Sequence, residues 1–247
     1  MRKTLCLTSM LVLVCLNAAF GQALKVIMDY YPPFSYEEKG EIKGICTQVV
    51  KAVLKEAGME TAIKQYPFAR AYKTTQKEEN VFEYCVVRTP ERENLFQWIG
   101  VVGVAEQGLL ALKDKDIRIE KMEDLIKYSI GTVLEDVVDQ YLRKHGQGLG
   151  LKLDRVADYE LNMNKLFMKR FDLCGMNKLV AMYLAKKLGH SENDIKSVYT
   201  IEELTGEYYL VTGLKTPPET VKKLRAAFET IHSNGTYKKI LDGYFSK

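Results

Sequence analysis

The chain has 247 residues, 47% of them hydrophobic and 28% charged, which suits one large or two small globular units and excludes a disordered, fibrous or multi-spanning chain. Its formal net charge is +4, of which Arg2 and Lys3 supply two. The remaining 34 basic and 32 acidic residues balance closely, so no nucleic acid and no anionic membrane is indicated as a partner.

Met1-Arg2-Lys3 is a basic start, Leu5 to Leu16 an apolar core, and Ala19-Phe20-Gly21 presents small residues where a signal peptidase reads. We read residues 1–21 as a secretory signal, too short to span a membrane stably, with cleavage after Gly21 or, as the alternative, after Ala23. The mature protein is expected in the periplasm. Cys15 follows Val14 instead of a small residue, which argues against a lipid anchor. Beyond the signal lie Cys46, Cys85 and Cys174, an odd count without a CxxC or Cys/His cluster, so no metal site or cofactor is implied. Cys46 and Cys85 sit in apolar runs and read as small core residues; whether any two of the three pair in an oxidising compartment stays open.

Leu24 to Asp29 reads as a first strand, ended by Asp29-Tyr30-Tyr31 and a Pro-Pro turn that cannot continue a ladder. Gly44 precedes a helix with one apolar face (Ile45, Val49, Val50, Val53, Leu54, Ala57), stopped by Gly58. Pro67 opens a second helix that carries Arg70 and Tyr72. Val81 to Val87 is an uninterrupted apolar run apart from Glu83, the pattern of a buried strand, and Arg88-Thr89-Pro90-Glu91-Arg92 follows it. Thr89 suits an N-cap, Pro90 the first helical position and Glu91 the positive end of the helix dipole, so a short helix is expected here. Arg92 breaks that pattern, because a cation in a first turn needs either solvent or a nearby anion. From these five residues alone a solvated surface arginine is the simpler account; the functional one is a guanidinium that grips a carboxylate through paired hydrogen bonds.

Val101 to Leu112 is apolar and broken by glycines, with a first crossing into a second lobe placed at Ala105 to Gly108. Lys121 to Ile126 reads as a short helix and Tyr128 to Gly131 as a strand. Thr132 and Glu135 have the spacing of a capping box for the helix that follows, whose buried face is Leu134, Val137, Val138, Tyr141 and Leu142. Strands are expected at 151–156, 171–175 and 195–199, and helices at 159–168 and from Lys178 to Gly189, with Asn177 as N-cap. A second crossing at 200–206 returns the chain to the first lobe, which closes with a strand at 208–212, a helix begun by Thr216-Pro217-Pro218-Glu219 and a final helix through Tyr244.

Tyr31-Pro32-Pro33-Phe34, Gly44, Thr89-Pro90-Glu91-Arg92, Gly131-Thr132 and the closing Gly235 to Tyr244 occur in the order, and over nearly the whole mature length, that resembles the family 3 extracellular solute-binding proteins, polar amino-acid-type receptors of ABC importers. The resemblance implies an α/β fold of the periplasmic-binding-protein-like type II, with two α/β lobes joined by two hinge crossings and a ligand cleft between them. Lobe 1 is expected over 24–105 and 203–247, and lobe 2 over 106–202. It implies that Arg92 holds a ligand carboxylate, that Thr89, Tyr31 and Phe34 share the first-lobe side of the cleft, and that Thr132 and Asn177 face them from the second. Arg70 and Arg88 are further candidates. Arg88 stands where the resembled pattern has an aliphatic residue; facing the cleft, it and Lys178 would favour a more anionic ligand, and facing solvent it would mean little. Asn177 stands where amino-acid receptors of the family carry an Asp for the ligand's ammonium, which removes the charge from that contact. The expected function is capture of a small carboxylate-bearing solute by hinge closure, as a monomer, with delivery to an ABC permease in the inner membrane or signalling to a sensor protein. Some relatives resemble periplasmic dehydratases, but of the acids available here, Glu83, Glu106 and Glu135, none is paired with a nucleophile or base in sequence, and the chain is not expected to be an enzyme.

Overall fold

The computed structural model describes residues 24–245, so the signal-peptide expectation lies outside the described residues. In chain order the elements are β1 (Lys25–Met28), β2 (Tyr36–Glu38), β3 (Glu41–Lys43), α1 (Ile45–Glu56), β4 (Ile63–Gln65), α2 (Phe68–Lys77), β5 (Val81–Val87), β6 (Phe96–Ala105), β7 (Gln107–Leu112) and β8 (Ser129–Val133). They continue with α3 (Val137–His145), β9 (Lys152–Val156), α4 (Tyr159–Phe167), β10 (Leu173–Asn177), α5 (Lys178–Lys187), β11 (Ile195–Thr200), β12 (Gly206–Gly213), α6 (Pro218–Ser233) and α7 (Thr236–Phe245).

These strands form two five-stranded sheets, ordered β4-β1-β5-β12-β6 and β11-β7-β10-β8-β9, and the small hairpin β2-β3. In the first sheet β4, β1 and β5 run parallel and β12 lies antiparallel between β5 and β6. In the second, β10, β8 and β9 run parallel and β7 is antiparallel to both β10 and β11. The chain passes between the sheets twice: at Glu106, between β6 and β7, and at residues 201–205, between β11 and β12. The molecule is therefore two α/β lobes, the architecture of the type II periplasmic binding proteins.

Every residue of β5, β7 and β10 is buried, as strands covered on both faces require. Side chains such as Phe82, Leu109 and Leu110 each contribute roughly 1.5–3 kcal/mol by leaving water. Gly44 opens α1 at φ 122°, and a Cβ there would stand 2.1 Å from the Phe34 carbonyl oxygen, so the Tyr-Pro-Pro-Phe turn folds directly onto the helix start.

Two expected boundaries differ. No helix begins at Thr89: its carbonyl accepts the Arg92 N–H at 3.0 Å in a turn, and a single 3-10 turn, Glu93–Leu95, follows with Arg92 at its cap. Nor does Thr132 cap a helix. Pairing with β9, Thr132 with Arg155 and Val133 with Val156, carries β8 on for two residues, and Asp136 caps α3 by accepting the Val137 N–H at 2.6 Å. Asn177 caps α5 as expected, accepting from Leu179 and Val180.

Candidate functional site

Ligands of open α/β sheets sit beyond the carboxyl ends of the parallel strands. Here four such ends converge on the junction of the lobes. β1 delivers Asp29, β5 leads to Arg92, β8 leads to Asp136, and β10 ends at Asn177.

Arg92 is buried, with 1% of its surface exposed. Its Nη1 donates to the Val87 carbonyl at 3.3 Å in its own lobe, while Nη2 donates to the Glu135 carbonyl at 3.2 Å and Nε to Gln140 Oε1 at 3.0 Å in the other. The guanidinium lies over the rings of Tyr72 and Phe68, 5.0 and 5.8 Å from their centroids. A buried cation is costly unless hydrogen-bonded and electrically balanced, and the acids that feel its charge are Asp136 and Glu83. Asp136 is 4% exposed; its Oδ2 is buried and lacks a well-formed hydrogen bond among the described residues. Burial pushes Asp136 up to about 6, although Arg92, the Val137 amide and the Tyr159 hydroxyl draw it down. Burial, with the Asp29 charge adding to it, drives Glu83 well above the usual carboxylate range.

Beside this pair lies a second polar cluster. Tyr208 Oη meets Tyr31 Oη at 3.0 Å and accepts from Gln107 Nε2 at 2.9 Å and Asn177 Nδ2 at 3.1 Å. Gln107 Nε2 also reaches Tyr31 Oη at 3.2 Å. Tyr31 packs on Tyr159 of α4, ring centroids 4.6 Å apart. Side chains from both lobes thus interlock at the bottom of the junction.

Above them opens a cavity of about 810 Å³, walled on the first lobe by Asp29, Tyr30, Tyr66 and Phe68 and on the second by Tyr159 and Leu161 among others. Lys187 on its rim is bound to Glu160 at 2.5 Å and to Tyr30 Oη at 3.0 Å, and Asp158 caps α4. Asp29 has no ion pair among the described residues, although it is 4% exposed. Burial, aided by the Asp136 charge, pushes its carboxyl up to about 8. Aromatic faces around a buried acid suit an organic cation.

The structure brings Arg92, Thr89, Tyr31 and Asn177 to this junction and leaves four candidates elsewhere. Arg88 is half exposed and forked onto Glu93 at 2.6 and 2.7 Å over the rings of Trp98 and Tyr209, so it faces away from any shared anion and lends the site no positive charge. Arg70 is exposed on α2, its guanidinium 4.2 Å from the Tyr66 ring centroid. Thr132 is fully buried and donates to Asp139 Oδ1 at 3.1 Å, inside a network in which Asp139 also holds Arg155 and Arg143. Phe34 packs in the core against Tyr31 and Tyr208. Sequence reasoning passed over Asp29, Asp136, Gln107, Gln140, Tyr159 and Tyr208. Asp29 carried a usable signal, a lone acid at the end of an apolar strand, and so did Asp136, an N-cap residue type directly before Val137-Val138.

Two lobes, two crossings and a junction lined from strand ends define the fold of a type II periplasmic binding protein. Residues 24–247 match the bacterial extracellular solute-binding proteins, family 3, and the chain belongs to that family. The arginine-binding periplasmic protein of Mannheimia haemolytica is 27% identical over 98% of each chain. The arginine-binding extracellular protein ArtP of Bacillus subtilis (strain 168) is 22% identical over 87% of this chain and 83% of its own length. Among solved structures, an ancestral arginine-binding protein bound to arginine aligns with a TM-score of 0.76 at 22% identity, covering 91% of this chain and 99% of that one. A histidine kinase sensor domain with similarity to periplasmic binding proteins aligns at 0.77 and 14% identity, covering 90% and 95%. Members of the family bind small solutes, and these curated relatives are binding proteins.

Proposed function

We propose that the protein is a periplasmic receptor that closes around a small amino-acid-like solute carrying a carboxylate at one end and a cation at the other, and that it delivers this solute to an ABC permease in the inner membrane. The observation that carries the proposal is the pairing of a buried guanidinium, Arg92, held by acceptors of both lobes, with a buried acid lacking an ion-pair partner, Asp29, on the wall of the adjoining cavity. Arg92 receives the carboxylate and Asp29 the cationic end. The names of the arginine-binding relatives support L-arginine as the first compound to test. Residues 24–105 and 203–247 form the lobe that holds Arg92 and Asp29, and residues 106–202 the lobe that closes on it, in a monomer. Tyr31 and Asn177 shape the floor of the site, and Thr89 braces Arg92 by accepting its backbone N–H.

The protein acts as a binder and not as an enzyme. Of the three acids considered for catalysis, Glu135 is occupied by Arg143 at 3.3 Å and Arg155 at 3.5 Å, Glu83 is sealed within β5, and Glu106 is exposed at the first crossing. Calorimetric titration with L-arginine, L-citrulline, L-glutamate and agmatine tests the reading: L-arginine is expected to bind most tightly, and a flat response to all four overturns it. Delivery is tested by uptake of the bound compound into vesicles carrying the cognate permease. Signalling to a membrane sensor is the second reading, favoured by the likeness of fold to a histidine kinase sensor domain, and binding without permease-dependent uptake would select it.

A further inference from the structure

Asp136 stands on the second-lobe side of Arg92 and is electrostatically coupled to it. It caps the helix turn whose Glu135 carbonyl and Gln140 side chain hold the Arg92 guanidinium, it is buried, and its Oδ2 lacks a well-formed hydrogen bond among the described residues, with the Tyr159 hydroxyl acting on it. Among the described residues it makes no ion-pair contact with Arg92, yet the two act on each other electrostatically. The charged and titratable groups around it are Arg92 after β5, Asp29 at the end of β1, Tyr31, Tyr159 on α4, Tyr208 on β12 and Asp139 one turn further along α3. Arg92 is the one cation among them. Two carboxylates that share a single buried guanidinium raise one another's proton affinity.

We propose that Asp136 is the residue that sets this receptor's preference for the ligand's anionic end, by competing with a ligand carboxylate for Arg92 so that a carboxylate-bearing solute is captured together with one proton taken up from solvent onto Asp136. This rests on the reading of Arg92 as the carboxylate grip. Proton balance is simple: ligand carboxylate, ionised Asp136 and one solvent proton enter, and the complex contains the ligand carboxylate on Arg92 and a neutral Asp136. The neutral acid keeps one oxygen on the Val137 amide and gains a hydroxyl that can donate, whereas the ionised one can only accept. A carboxyl already pushed up to about 6 loses little by taking that proton near neutral pH. A ligand without a carboxylate has no such requirement, and Asp136 then serves as a second counter-charge for cationic solutes.

The experiment compares L-arginine with agmatine, which is arginine without its carboxylate, by calorimetry at pH 5.5 and pH 8 on the mature chain and on Asp136→Asn. Both compounds present the same guanidinium, so any titration of Asp29 largely cancels in the ratio of their dissociation constants. In the unaltered protein the preference for L-arginine over agmatine should fall by about tenfold for each pH unit above 6. In Asp136→Asn, which keeps a good N-cap, it should be high and equal at the two pH values. Asp136→Ser, a second capping residue, should behave likewise should the first variant fold poorly. A preference independent of pH in the unaltered protein overturns the inference while leaving the receptor reading standing, as does a pH dependence that survives both substitutions. Absence of binding for both compounds in every protein overturns the receptor reading and this inference with it.

Discussion

Replacing Arg92 by Met keeps an apolar stem against Phe68 and Tyr72 and removes the guanidinium. Three acceptors lose their charged donor, and two of them, the Glu135 carbonyl and Gln140 Oε1, belong to the opposite lobe. A hydrogen bond to a charged group is worth about 1.5–3 kcal/mol, but in an opened molecule water would satisfy these acceptors, so the loss falls on closure instead of on each lobe's own fold. The ligand's carboxylate is unpaired as well, at about 2–5 kcal/mol. The two losses share one side chain and do not add; the expected weakening is therefore about 2–5 kcal/mol, or roughly 30- to 5,000-fold in affinity. Calorimetry with L-arginine at pH 5.5 reads it directly, and urea unfolding of the ligand-free variant checks that both lobes persist. Arg92→Lys should fall between the two, since an ammonium keeps the charge but cannot reach three acceptors in one plane. Binding by Arg92→Met within threefold of the unaltered protein would refute the role given to Arg92.

Asp29→Asn should weaken L-arginine at least tenfold while leaving L-citrulline little changed, as calorimetry would record. The folded protein holds the Asp29 proton up to about 8 and the unfolded chain releases it near 3.8, so this group's contribution to stability is intact below about pH 4 and is lost as the pH climbs to about 8; the gain in melting temperature of Asp29→Asn over the unaltered protein should therefore be larger at pH 8 than at pH 5. Glu83 is raised in the same direction by burial, and Glu83→Gln should likewise stabilise the ligand-free protein more at pH 8 than at pH 5 in urea melts, an equal effect at both counting against that assignment. Tyr208→Phe removes the hydroxyl shared by Tyr31, Gln107 and Asn177 and should cost about 1–3 kcal/mol by leaving buried donors unpaired, read by denaturant unfolding. Gly44→Ala forces a Cβ to 2.1 Å from the Phe34 carbonyl oxygen at a positive φ and should destabilise by more than about 2 kcal/mol, measured by the same unfolding curves.

Most of the element order could be read from the chain because the central strands advertise themselves: Val81–Val87 is buried on both faces, and its apolar run says so. The boundary after β8 could not, because Thr132 and Glu135 satisfy a local capping rule that a tertiary partner overrides. Asp139, fixed by Arg155 from the neighbouring strand, takes the Thr132 hydroxyl, and the true cap is one residue past Glu135. Arg92 was legible as a misplaced cation that needs an anion. Which anion was not, since the acids that feel its charge, Glu83 and Asp136, belong to two different lobes. Arg88 misled for the opposite reason: its partner, Glu93, lies a few residues on, and nothing local distinguishes a solvent-facing fork from a cleft-facing one.

The position of β12 between β5 and β6 bears on how the chain matures. Emerging amino end first, the polypeptide presents β1, β4, β5 and β6 early, yet the last two have no ladder with one another until the strand at Gly206–Gly213 arrives to be slotted between them. By then the whole excursion through β7 to β11 has been made, and those segments already hold all the pairings of their own sheet. The later half of the molecule can thus be finished first, while the earlier half waits with two raw edges for a tail that zips it shut.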